Sequence, residues 1–209
     1  MKVLELFSGG KSITKFFENL PNVEVISLDF EKKYNPDICC DIMEFDYKQF
    51  DIGHFDIVWA SPECKVFSQL QNTLLGRKGG SINKEELIKK QLENSKYILK
   101  TIEIIKYLNP KYYFIENPQH SAIWNYVPDD FNIGINVSYC NFGFNYQKNT
   151  RIITNKVLEN CLCKKKNKIF ECCGLSKHKS SIGKLGSQKQ GLLERYSIPQ
   201  DLLKYLFFD

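Results

Sequence analysis

The chain predicts an open α/β sheet of the nucleotide-binding type, and three observations predict it. A strand-like opening, Lys2 to Phe7, runs straight into Ser8-Gly9-Gly10 and then into an apolar-periodic helix. A second strand-like run, Val23 to Phe30, ends in an acid, Asp29, about twenty residues past the glycine turn, the spacing at which a carboxylate accepts from ribose hydroxyls. Two later apolar runs, Phe55 to Ala60 and Lys111 to Glu116, each stop beside a residue suited to chemistry, Cys64 and Glu116.

Taken in order, the glycines of the first turn let the backbone approach a ligand, and the helix behind them, marked by Ile13, Phe16, Phe17 and Leu20, offers unpaired N–H groups. Neither the full phosphate-binding P-loop pattern, whose first glycine would fall at Glu5, nor the three-glycine dinucleotide fingerprint is present. A third short strand is expected to close at Asp41-Ile42, where a carboxylate can take an amino group from an adenine ring while the isoleucine packs its face. Phe55 to Ala60 reads as a short buried strand that Ser61-Pro62 ends, because proline cannot donate to a sheet ladder. Cys64 stands just beyond it, at the sheet edge where ligands bind, and is the candidate nucleophile; the competing reading is a small core residue.

Lys65 to Asn83, with Gly76, Gly79 and Gly80, reads as a long loop of the kind that serves as a lid. A helix starting at Asn83 follows, with Leu87, Ile88, Leu92, Ile98, Leu99, Ile102 and Ile105 expected on one core-facing stripe. Glu116 closes the next buried strand and is placed to face Cys64. Burial at an apolar strand end raises a carboxyl's pKa, which suits a proton donor near neutral pH. Ile135 to Phe142 and Arg151 to Thr154 are the last strand candidates.

At 209 residues the chain fits one core-bearing unit. No apolar run approaches the ~20 residues of a membrane span, and no signal-peptide pattern opens it, so a soluble intracellular protein is expected, cytoplasmic or, in a eukaryotic host, nuclear. In that setting the 8 cysteines argue for reduced thiols, metal ligation or catalysis rather than disulfides. Of the net charge of +5, more than the whole lies in residues 156–209, with eleven Lys and Arg against five acids. A basic tail third on a near-neutral body is a polyanion footprint, against the alternative of a solvated lysine-rich face.

The pieces LELFSGG, SLDF, DI, ASPEC with its following FS, IENP and NYQKNTRIITN, in that order, resemble the cytosine-5 DNA methyltransferase family, most closely its compact phage-type members. The likeness spans nearly the whole chain. It implies a Rossmann-like S-adenosylmethionine-dependent methyltransferase fold with a small Cys/His-containing C-terminal region. In that scheme Phe7, Ser8, Gly9, Gly10 and Ser12 would hold the methionine part of S-adenosylmethionine, Asp29 with Phe30 the ribose side, and Asp41 with Ile42 the adenine, Ser61 and Pro62 completing the cofactor site. Cys64 would attack carbon 6 of a cytosine flipped out of duplex DNA, with the Lys65 to Asn83 loop closing over it. Glu116 would hydrogen-bond ring nitrogen 3 and the exocyclic amine, and Arg151 would support the ring-oxygen side and orient the cysteine.

Two departures from the family pattern bear on activity. Glu63 stands where the family has proline before the cysteine, and an acid beside a thiol opposes thiolate formation. Of the family's later glutamine-arginine-arginine pattern only Gln147 and Arg151 remain, with Asn149 between them. The resemblance therefore also admits methylation of cytosine in RNA, or an impaired cofactor-binding protein that binds DNA or a partner enzyme. Of Cys161, Cys163, Cys172, Cys173 and His178 at most four can hold a tetrahedral zinc, and neither cysteine pair has the usual two-to-four-residue spacing, which leaves the ligand set open, against the alternative of unligated thiols that cluster. The expected organisation is a catalytic domain over 1–155, a small basic, zinc-binding recognition region over 156–190, and a helix over 191–209, begun by Pro199 and carried by Leu202, Leu203 and Leu206, that packs back near the first strand.

Overall fold

A computed structural model describes residues 1–180 and 196–208. Nine strands occur among them: β1 Lys2–Leu6, β2 Glu24–Asp29, β3 Ile38–Cys39, β4 Ile57–Ala60, β5 Tyr112–Pro118, β6 Gly134–Ser138, β7 Asn149–Thr154, β8 Lys165–Lys166 and β9 Ile169–Phe170. The helices are α1 Ser12–Phe17, the single turn α2 Leu70–Thr73, α3 Lys84–Leu108 and α4 Gln200–Phe208. The first seven strands form one sheet in the order β3-β2-β1-β4-β5-β7-β6, while β8 and β9 make a separate hairpin. β1 to β5 are parallel; β7 enters antiparallel between β5 and β6. The expected open α/β sheet is therefore present, and none of the described helices is long and apolar enough to cross a membrane.

Period-two alternation sorts the sheet's side chains into two cores. Leu4, Leu6, Leu28, Val58, Ala60, Ile115 and Ile153 face α3. Val3, Ile57, Trp59, Phe114, Ile135 and Ile152 face α1 and α4, where Ile13, Phe17, Leu202, Leu203 and Leu206 close the layer. The returning C-terminal helix thus packs where expected. The sequence GSQKQG that precedes it lies outside the described residues.

Three local readings change. β3 ends at Cys39, not at Ile42, because its partner β2 ends at Asp29 and offers nothing to pair with beyond the Asp29↔Cys39 step. On α3, Leu87, Ile98, Ile102 and Ile105 are buried, but Ile88, Leu92 and Leu99 stand exposed. Each of those three sits one residue, about 100°, off the buried stripe. The helix begins as expected, with the Asn83 side chain accepting from Glu86 N–H. The loop from Lys65 to Asn83 is folded on itself: Gln91 and Gln71 donate to the carbonyls of Val66 and Lys65, and a Cβ on Gly80 would lie 2.0 Å from Leu74 O.

Glu5 has a role that residue pattern does not announce. It is buried in β1 and accepts from Ile13 N, Thr14 N and Thr14 Oγ1 at 3.0, 3.0 and 2.6 Å, so a strand carboxylate caps α1. Burial nevertheless pushes its carboxyl above the usual range. Glu5→Ala leaves three donors without an acceptor and is expected to cost about 2–4 kcal/mol in urea unfolding. Glu5→Gln, which keeps one acceptor oxygen and buries no charge, should cost clearly less.

Candidate active site

β1, β4 and β5 are aligned so that Leu6 pairs with Ala60 and Ala60 with Ile115, and their carboxyl ends open onto one crevice. Chain order reverses there, β2 and β3 lying to one side of β1 and β4 and β5 to the other, which is the switch point where open α/β sheets bind ligands. Asn117 fastens the two chemical ends together: its Nδ2 donates to Pro62 O at 2.8 Å across buried space. The Cys64 turn is also held from within, Phe67 N–H donating to Cys64 O at 3.1 Å.

Glu116 is buried, and both of its hydrogen-bond partners meet Oε1: Tyr139 OH at 3.0 Å and Lys148 Nζ at 3.3 Å. Lys148 Nζ also lies 4.5 Å from the Tyr139 ring centroid. Cys64 is half-buried, and its thiol is pushed above its ordinary value, first by burial and next by the charge of Glu116; Lys148 pulls it back. Glu63 acts in the expected direction but more weakly than any of these, and its side chain is exposed. The sulfur, the acid and a cation therefore share one electrostatic neighbourhood.

Arg151 does not join that group. It sits on β7 with its side chain on the face of Ile153, whereas Glu116 shares the face of Phe114. Its Nη2 donates to Asn132 O and Oδ1 at 3.1 and 3.0 Å, and the guanidinium lies 5.9 Å from the Trp124 ring centroid. The cation beside Glu116 is instead Lys148, just before β7. Period-two alternation along Asn149–Thr154 carries the signal that separates Arg151 from Glu116.

The glycine turn is strained. Phe7, Gly9 and Lys11 all have positive φ, +55°, +44° and +56°, which for a bulky residue such as Phe7 is strain held by the surroundings. Ser8 Oγ is buried with no partner among the described residues, an orphaned polar atom in the turn itself. Asp29 accepts from Gly9 N and Glu31 N, both at 2.8 Å, so it ties the turn to the end of β2. Phe30 beside it is 69% exposed. Ile42 is buried and Asp41 Oδ1 accepts from Met43 N–H. Three predicted cofactor residues are engaged internally: Ser12 Oγ accepts from Ile198 N–H, Ser61 Oγ from Trp59 Nε1, and Pro62 O from Asn117.

Among the described residues one Cys/His group has metal-binding geometry, and it differs from the run read in the sequence. Cys140, Cys163, Cys172 and His178 bring their donor atoms within 4.8 Å of one another. Cys161 and Cys173 stand outside it. Cys161 runs along the edge of β6, its N–H donating to Asn136 O and its carbonyl accepting from Ser138 N, and Cys173 is exposed. Cys140 comes from the 3-10 turn Tyr139–Phe142 after β6, more than twenty positions before the run, so spacing alone could not find it. An open cleft of about 260 Å³ beside the group, lined in part by Phe144, Asn145 and Lys179, leaves it reachable by an ion from solvent.

No protein-family model matches the chain. It is 34% identical over 160 residues, covering 74% of this chain and 71% of the relative, to a probable DNA (cytosine-5)-methyltransferase of Frog virus 3 (isolate Goorha). The fold is that of the Entamoeba histolytica methyltransferase EhMeth, at 20% identity and a TM-score of 0.53, covering 100% of this chain and 67% of that one.

Proposed function

The chain belongs to the DNA (cytosine-5)-methyltransferase family, and we propose that it methylates carbon 5 of cytosine in DNA through a covalent bond from Cys64. One observation carries this reading: a thiol and a carboxylate stand at the ends of adjacent parallel strands, fastened by the Asn117–Pro62 bond, beside an orphaned hydroxyl in a strained glycine turn. S-adenosylmethionine, when bound, supplies the electrophilic methyl group. Ser8 and the backbone of Phe7 to Gly10 would hold its methionine part, Asp29 its ribose, and Phe30, Asp41 and Ile42 its adenine. Ser12, Ser61 and Pro62 shape that site through their internal bonds rather than by donating side chains to it.

The sulfur of Cys64, as thiolate, attacks carbon 6 and drives electron density into the ring, which makes carbon 5 nucleophilic. Glu116, taking up a proton as the base binds, donates it to ring nitrogen 3 from Oε2, the oxygen that Tyr139 and Lys148 leave open, and accepts from the exocyclic amine; the proton given to nitrogen 3 offsets the charge pushed into the ring. After methyl transfer, loss of the carbon-5 proton expels the sulfur and restores the free thiol. A cytosine inside a duplex hides carbon 6, so the base is flipped out to reach Cys64, with the loop over Lys65 to Asn83 the element beside it.

Lys164, Lys165, Lys166 and Lys168 on and around the β8–β9 hairpin are exposed and form the surface for the DNA backbone. The Cys/His group we read as a zinc site that holds this hairpin to the sheet, since three thiols and an imidazole suit that ion. The test is transfer of labelled methyl from S-adenosylmethionine to duplex DNA of varied sequence and, in parallel, to transfer RNA, followed by nucleoside analysis. The expected product is 5-methylcytosine in DNA. Label confined to the RNA would replace the DNA reading, and label in neither would sink the enzyme reading.

A further inference from the structure

One metal ligand, Cys140, and the carboxylate that holds the base are separated by a single residue, Tyr139, and one hydrogen bond. We propose that a zinc ion on Cys140, Cys163, Cys172 and His178 positions Glu116, through Tyr139 and Lys148; the inference rests on the zinc reading above.

The donor set fits one tetrahedral ion. Cys163 Sγ lies 3.3 Å from Cys172 Sγ, and His178 Nε2 lies 3.2 Å from Cys172 Sγ and 3.9 Å from Cys163 Sγ. Ligands about 2.3 Å from a central zinc at tetrahedral angles stand roughly 3.8 Å apart. Three thiolates and a neutral imidazole leave a zinc site with one net negative charge, and four exposed lysines, Lys164, Lys165, Lys166 and Lys168, lie in the sequence between its ligands Cys163 and Cys172. The Phe170 ring, 4.1 Å from the His178 ring centroid, fixes the imidazole from the side.

Cys140 connects this centre to the catalytic sheet. The residue before it is Tyr139, fully buried, whose hydroxyl donates to Glu116 Oε1 at 3.0 Å and whose N–H donates to Lys148 O at 3.0 Å. Lys148 Nζ is the other group on the same carboxylate oxygen. Cys163 N–H donates to Ser138 Oγ, which in turn donates to Asn149 Oδ1, at 3.0 and 2.7 Å. Two ligands of one ion thus grip the segment 138–140 from both sides, and that segment holds both partners of Glu116. Without the ion, the Cys140 side chain is held to Cys163 and Cys172 by weak thiol hydrogen bonds in place of metal bonds, and Tyr139 can turn with it. Tyr139 and Lys148 act as positioning residues; the ion itself touches no substrate.

The experiment measures, on the full chain, zinc per protein by elemental analysis, affinity for duplex DNA, and the rate of covalent adduct formation with DNA carrying 5-fluorocytosine. Wild-type protein should hold one zinc per chain. Tyr139→Phe should keep that zinc and its DNA affinity and lose adduct rate by about tenfold to a hundredfold. Cys140→Ser should lose the zinc and lose at least as much rate, and the double variant should be no slower than Cys140→Ser alone. Cys173→Ser should behave as wild type. A zinc-loaded Tyr139→Phe with unchanged adduct rate overturns the coupling even if Cys140→Ser fails to fold. So does a zinc-free Cys140→Ser with wild-type rate. A metal-free wild type with a Cys163–Cys172 disulfide in the non-reduced mass spectrum overturns the zinc reading itself.

Discussion

Cys64→Ala is expected to abolish the covalent adduct with 5-fluorocytosine DNA and to lower methyl transfer by at least about 10⁴-fold, as loss of a nucleophile does elsewhere. Fluorine at carbon 5 cannot leave as a proton does, so wild-type protein with S-adenosylmethionine present should remain bonded to the DNA through sulfur. The substitution removes one atom from a half-buried side chain at a turn, and the Phe67 N–H bond that closes the turn is to the backbone carbonyl and survives it. Its cost in stability should stay near ~1 kcal/mol or below, and binding of cofactor and DNA should change little. The outcome decides between two readings of the same fold. Were Cys64→Ala to methylate at the wild-type rate, or wild type to form no adduct on any sequence, the protein would be a binding module. Glu63 points toward that outcome, yet its charge is exposed and ranks behind burial, Glu116 and Lys148 in what it does to the thiol.

The parts of this site that follow from local pattern were legible, and those that follow from the pairing of distant strands were not. Strand ends at Asp29 and Ala60, and the carboxyl-terminal stretch of β5 that carries Glu116 and runs on to Pro118, could be read because apolar runs and a proline announce them, and a parallel sheet then brings its carboxyl ends together. The partner of Glu116 could not be read from residue type. Arginine was the expected cation, but β7 enters antiparallel between β5 and β6, and alternation turns Arg151 toward Asn132 and Trp124 while the residue before the strand reaches the acid. The metal ligands failed in the same way. A run of cysteines and a histidine was visible, but β6 supplies Cys140 from far upstream and the edge pairing of Cys161 removes that residue from the set. Glu5, an acid inside a strand, gains its capping role only when α1 is placed over it, which no local pattern specifies.

Glu116→Gln and Lys148→Met should move the pH dependence of adduct formation in opposite directions, and Glu116→Gln should also cost about 10²- to 10³-fold in methyl transfer at neutral pH. Attack on carbon 6 needs the thiolate, and the Cys64 thiol is held above its ordinary value by burial and then by the negative charge of Glu116, with Lys148 opposing. Taking the charge off residue 116 therefore lowers the thiol's pKa, so the rate should reach its alkaline plateau at lower pH. Removing the ammonium of residue 148 raises it, so the plateau moves to higher pH, and below the plateau the thiolate fraction falls about tenfold for every pH unit of that displacement. For Glu116→Gln the two effects compete at neutral pH. If its plateau moves down by about one pH unit, the extra thiolate returns about tenfold at most, while the lost carboxylate contact to the ring costs more, so the net change is a loss. Initial adduct rates from neutral to alkaline pH, with cofactor saturating and DNA limiting so that the free protein's thiol is read, separate the plateau height from its position. Profiles that move together, or not at all, would mean that the thiol does not feel the carboxylate and that residues 64 and 116 do not serve one site.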